Sequence, residues 1–257
     1  MGGPLLEVCE VTLRFGGVTA LKDVSFGVAE DELFAIIGPN GAGKTSIFNC
    51  LNGVYRPQEG RILLAGADVT GHRPPEMARR GVARTFQNLG LFENLDVVDN
   101  LMLGRHHLMR TGFLSGSAWL GRAKREEIRH RGRCEEIVDF LDLGRYRGTP
   151  VGLLPYGIKK RIELGRALAM DPRLLLLDEP VAGMNLEETE DMARYVLEVR
   201  RNLGVSMVLV EHDMHLVMDL ADRVMVLDFG QVIAMGPPAE VQADPKVVEA
   251  YLGQVSS

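Results

Sequence analysis

The chain has 257 residues, of which 46 % are apolar and 25 % charged, and its formal net charge is −6. That balance belongs to a globular protein with a sizeable core, and the acidic sign argues against a coat for nucleic acid. Cys9, Cys50 and Cys134 are odd in number, far apart and in no metal-like spacing, so they read as reduced cytosolic thiols rather than a disulfide framework.

In chain order, the start MGGPLLEVCEV has no basic segment leading into an apolar core, and no secretory signal is expected from it. Leu5 to Phe15 alternates loosely and predicts a strand, with a second over Val24 to Val28. LFAII, Leu33 to Ile37, is a short apolar run met at once by glycines, the pattern of a buried strand running into a loop. A helix is expected from Lys44 to Asn52 and a strand over Arg61 to Ala65. The stretch from Leu95 to Leu143 has few β-formers and much charge, and predicts helices broken near Gly112, Gly116 and Gly121. Helices over Tyr156 to Met170, Leu186 to Arg201 and Met214 to Leu220 then alternate with strands over Leu174 to Leu177 and Ser206 to Val210. Such alternation implies a mainly parallel sheet with helices on both faces. Val224 to Leu227 and Val232 to Met235 read as a hairpin across Phe229 and Gly230, and Glu240 to Leu252 as short helices. No apolar run is long enough to span a bilayer, so any membrane role would be lent by a partner.

Two stretches carry phosphate chemistry. GPNGAGKT, Gly38 to Thr45, fits G-x-x-x-x-G-K-[ST] between a predicted strand and a predicted helix. Glycines let successive N–H groups curl around phosphate oxygens, Lys44 brings a cation to the β- and γ-phosphates, and Thr45 offers a hydroxyl to Mg²⁺. The helix start adds its partial positive charge. LLLLDEP, Leu174 to Pro180, supplies the complement: a buried strand with Asp178 and Glu179 at its C-terminal end, the edge where open α/β sheets bind ligands. Asp178 suits Mg²⁺ and Glu179 the polarisation of an attacking water.

A third stretch, LPYGIKKRIELGRAL (Leu154 to Leu168), opens a helix with no Ser, Thr, Asp or Asn to cap its first N–H groups. Pro155 tolerates a first turn, and Gly157 leaves the backbone bare to close approach. Such a start suits either an anion or water.

In this order and over almost its whole length, the chain resembles an ATP-binding cassette subunit of a transporter. The resemblance implies an α/β fold: a P-loop NTPase core with a mainly parallel sheet, an antiparallel β subdomain and a helical subdomain. Residues 1–87 and 155–240 would form the core with its β subdomain, 88–154 the helical subdomain, and 241–257 a helical tail. ATP and Mg²⁺ are the implied cofactors, with ATP held at Gly38, Pro39, Asn40, Gly41, Ala42, Gly43, Lys44, Thr45 and Ser46. Phe15 stands where the family has an aromatic that stacks on adenine. Gln87, in RTFQNLGLF, matches the glutamine loop, which touches Mg²⁺ and the attacking water and answers to the membrane partner. VAGMN, Val181 to Asn185, falls at the loop after the catalytic carboxylate. His212, in LVEHDM, stands at the switch histidine, which contacts the γ-phosphate. Lys44, Gln87, Glu179 and His212 are thus the implied catalytic set, and Thr45, Gln87 and Asp178 the implied metal ligands.

In the family, two cassettes face each other head to tail, and the signature helix of one aims at the γ-phosphate held by the other. LPYGIKK falls at that signature, so Pro155, Tyr156 and Gly157 are expected to complete a neighbour's site. The family commonly has Ser at Pro155 and Gln at Ile158. Losing one charge-assisted hydrogen bond there costs about 1.5–3 kcal/mol, which suggests the weaker of two sites in a mixed pair. The implied partners are a second cassette (a paralogue favoured over a copy), two transmembrane permease subunits and, indirectly, a solute-binding protein, with no nucleic acid. The implied place is the cytoplasmic face of the inner membrane.

The run His106 to Arg131 resembles the insertion of the ATP-binding protein of the high-affinity branched-chain amino acid uptake system. EPVAGMN, the stretch from Val208 to Val241 and DPKVVEAYLG resemble the same subfamily. Urea and short-chain amide importers share nearly the same architecture and remain the alternative. A non-transport cassette is the rival from another class: chromosome-type cassettes insert a long coiled coil, and translation-type proteins carry two cassettes in one chain. The basic run Arg122 to Arg133 reads as a solvated helix face or, more sharply, as a contact for acidic headgroups or membrane subunits.

Overall fold

A computed structural model describes residues 3–85, 90–109 and 122–252. Two sheets share the chain. The first is four-stranded, antiparallel and ordered β2-β1-β4-β5, from β1 (Leu6–Phe15), β2 (Val18–Val28), β4 (Glu59–Leu64) and β5 (Ala67–Asp68). The second is ordered β10-β9-β3-β8-β7-β6. It contains β3 (Leu33–Ile37), β6 (Val82–Arg84), β7 (Leu174–Asp178), β8 (Ser206–Val210), β9 (Arg223–Asp228) and β10 (Gln231–Gly236). All its pairings are parallel except that of β10 with β9.

The second sheet explains why its central strands are unbroken apolar runs rather than alternating ones. Successive side chains of a strand point to opposite faces. Leu33, Ala35 and Ile37 enter one core and Phe34 and Ile36 the other; Leu175 and Leu177 divide in the same way from Leu174 and Leu176. One core lies under α1 (Lys44–Leu51) and the antiparallel sheet. The other takes in α3 (Val97–Gly104), α4 (Arg122–Phe140), α5 (Tyr156–Leu168), α6 (Leu186–Leu203) and α7 (Met214–Leu220).

Several elements exceed the sequence reading. β2 begins at Val18 rather than Val24, because its register with β1 runs out to Phe15↔Val18. The edge strand β6, the two-residue β5 and the short helix α2 (Pro74–Arg79) have no periodicity to betray them. α8 (Pro238–Gln242) and α9 (Pro245–Leu252) make up the tail. The expected breaks at Gly112, Gly116 and Gly121 lie outside the described residues.

The helical stretch is fastened to the sheet core by Arg105, which is buried. Its Nε donates to His130 Nδ1 at 2.7 Å, and its Nη1 donates to the Ala169 carbonyl at 2.8 Å and to Asp171 at 2.9 Å. Burial, then the adjacent guanidinium, lowers the His130 pKa below its ordinary value. In the basic run, Arg131 and Arg133 pair within the chain with Asp99 and Asp171, while Lys124, Arg125 and Arg129 are exposed. Among the described residues no helix is long and apolar enough to cross a membrane.

Candidate active site

The phosphate-binding loop hangs between β3 and α1. Gly38 adopts φ 147° with its Cα pressed against the Leu227 carbonyl, so that a Cβ there would collide with it; Gly43 adopts φ 104°, and a Cβ there would lie 2.8 Å from the Ala20 carbonyl. Both positions therefore demand glycine. Gly43 is the N-cap of α1 and supplies no side-chain cap, so the first N–H groups of the helix are left to a ligand. Lys44 is only 6 % exposed. Its Nζ donates to the carbonyls of Gly38 at 2.6 Å and Pro39 at 2.9 Å. Burial lowers the Lys44 pKa, and the Glu179 carboxylate pulls it the other way.

A cavity of about 410 Å³ joins this loop to the ends of β7 and β8. It is bordered by Asn40 to Ser46, Val18 to Ala20, Glu179, His212 and Phe229. Phe15 stands at the end of β1, 46 % exposed, with its ring edge-on to Tyr55 at 5.0 Å. Its free face is available to a planar ring.

Asp178 ends β7 and is buried. It has a partner that the motif does not reveal: Arg84, on β6, donates to its carboxylate at 2.7 Å and to Asn49 Oδ1 at 2.7 Å. Thr45, Arg84 and Asp178 also border a second cavity of about 730 Å³ beneath the loop. A hydroxyl and a carboxylate below a ring of N–H donors are hard oxygen ligands, the set that suits a magnesium triphosphate. Gln87, expected to join them, lies outside the described residues.

Glu179 follows Asp178 in the left-handed region, at φ 48°. Its N–H donates to the Val210 carbonyl at 2.9 Å, and its own carbonyl accepts from Ala182 N–H at 3.2 Å and Lys160 Nζ at 3.4 Å. These bonds offset the cost of that backbone, of order 1–3 kcal/mol, and turn the carboxylate outward to His212 Nε2 at 2.7 Å. The pair stands at the rim of the cavity, where an acceptor for a water proton and a donor toward phosphate are both needed.

The start of α5 is the counter-example. Pro155 is its N-cap, at φ −57° and ψ 156°, with no side-chain cap. Tyr156 is exposed, and its hydroxyl donates to the Ala182 carbonyl at 3.1 Å. Two features escape the sequence. The bare flank of Gly157 is approached by a group of the same chain, the Glu188 carboxylate. Glu188 also closes a capping box with Asn185 at the start of α6. Ile158 is buried in the core, and its apolar side chain brings no polar group to this surface.

Residues 21–182 match the ABC transporter family, and residues 231–255 match the branched-chain amino acid ATP-binding cassette transporter C-terminal segment. The high-affinity branched-chain amino acid transport ATP-binding protein BraF of Pseudomonas aeruginosa is 40 % identical over 254 residues, covering 99 % of this chain and 100 % of the relative. The corresponding LivG protein of Salmonella typhimurium is 38 % identical over the same shares. A solved ATP-binding cassette of an ABC transporter in its ADP conformation superposes with a TM-score of 0.85 at 31 % identity, covering 98 % of this chain and 99 % of that one. The chain is a member of the ABC transporter family, a nucleotide-binding ATPase of its branched-chain amino acid branch.

Proposed function

We propose that this chain is the ATP-hydrolysing subunit of an importer for branched-chain amino acids. The observation that carries the reading is the Glu179–His212 contact of 2.7 Å on the rim of the phosphate-loop cavity. Full-length relatives whose names state branched-chain amino acid transport support the solute class.

In this reading the N–H groups from Gly38 to Ser46 bind the phosphates, and Phe15 stacks on adenine. Thr45, Asp178 and Gln87 would hold Mg²⁺, which would supply charge neutralisation to the phosphates. Glu179 takes the proton of a water in line with the γ-phosphate, while Lys44 and His212 face the charge that develops there. Pro155, Tyr156 and Gly157 face the γ-phosphate of a second cassette. Pro155 has neither hydroxyl nor N–H to give it, which favours a paralogue with a better signature over a second copy as the partner. Two permease subunits, and through them a solute-binding protein, complete the machine, and the chain sits on the cytoplasmic face of the inner membrane.

The test is ATP turnover of the assembled transporter in liposomes with a panel of binding-protein-delivered solutes. Leucine, isoleucine and valine are expected to stimulate it and urea to leave it at its basal rate. Stimulation by urea or short amides alone would transfer the chain to that importer class.

A further inference from the structure

The loop after β7 and the turn after β8 are joined by a carboxylate that lies behind the nucleotide site. Glu211 is 3 % exposed. Its Oε1 accepts the Val181 N–H at 3.1 Å, and its Oε2 accepts the His212 N–H at 3.0 Å. With the Glu179–His212 contact these bonds close a ring. It runs from the Glu179 carboxylate to the His212 ring, back to the His212 N–H, through the Glu211 side chain to Val181, and along two residues to Glu179.

Glu179 needs such a ring. Its left-handed backbone leaves the direction of its side chain dependent on what holds the next residues. Val181 is buried, so its N–H loses a required acceptor if the carboxylate goes. Burial raises the Glu211 pKa, with the N–H groups of Val181, His212 and Asp213 pulling against it. The placement is costly by itself and is offset by the bonds it makes.

We infer that Glu211 is a positioning residue for ATP hydrolysis, its carboxylate clamping the loop after Glu179 to the switch turn so that Glu179 and His212 stay paired. The inference rests on the hydrolytic reading above. The chemistry is specific to glutamate. Glutamine has the same reach but only one acceptor oxygen, and its NH₂ would meet an N–H donor head-on. Threonine is too short to bridge.

The test compares wild type, Glu211→Gln and Glu211→Thr in the assembled transporter, together with ADP binding by the isolated full-length chain. Both variants are expected to lose about tenfold or more in kcat with KM for magnesium ATP changed by less than about threefold. ADP affinity should match wild type. In a His212→Ala background, Glu211→Gln should cost less kcat than it does alone, because the ring it closes is already open. A kcat within about threefold of wild type, a defect carried by KM, loss of ADP binding, or losses that add in the double variant would each overturn the inference. A wild-type transporter that bound ATP but never split it would instead sink the hydrolytic reading and take this inference with it.

Discussion

The starts of α1 and α5 are both helix N-termini without side-chain caps, yet they face opposite circumstances. At α1 the chain supplies everything around the vacant N–H groups: glycines that only fit without a Cβ, Lys44, and Glu179 with His212 across a shared cavity. At α5 it supplies a proline, an exposed tyrosine and the flank of an acidic residue. Around one terminus the groups suited to phosphate come from this chain itself. In the proposed reading the other lends its start to the site of a second cassette.

The contrast breaks most sharply at Glu179. Glu179→Gln is expected to lower hydrolysis on the order of 10²- to 10³-fold while ATP binding persists, read by phosphate release against equilibrium binding; wild-type turnover would remove Glu179 from the hydrolytic role. Next comes Arg84→Met, which leaves Asp178 buried and without its guanidinium. About 3 kcal/mol of stability should be lost in thermal unfolding, and magnesium ATP should restore more of it than the same addition gives wild type. Equal gains would separate Arg84 from the metal corner.

Pro155→Ser sharpens the other side. A hydroxyl at the start of α5 is expected to raise ATP turnover of the assembled transporter by about ten- to a hundredfold, one charge-assisted hydrogen bond's worth. It should leave ATP binding by the isolated chain unaltered. Unchanged turnover would show that the proline does not weaken the shared site. The smallest effect concerns thiols. Burial pushes the Cys50 thiol up to about 12 and that of Cys134 up to about 11, whereas Cys9 is exposed. A thiol-reactive probe at pH 8 should therefore modify one cysteine of the native chain and all three after denaturation. Nucleotide should not change the native count.

The sheet was legible wherever burial on both faces forces a continuous apolar run, as in β3, β7 and β8. The phosphate loop and the paired carboxylates were legible because their spacing is local. Arg84, Glu188 and Glu211 were not. Each acts on a residue that is distant in sequence, across a sheet register or between two loops, and no periodicity marks such a meeting. β6 escaped for a related reason: three residues are too few to show a period and read as loop until β7 lies beside them.

Lys44 gives the loop an occupant of its own. Its ammonium is held by two main-chain oxygens of the very ring that would receive a polyphosphate. Two of the three donors of the ammonium are engaged in this way, which leaves one for a phosphate oxygen without breaking either contact. In the proposed reading the loop that receives the fuel already has a partner for its buried ammonium, so the cradle by itself carries no unsatisfied charge.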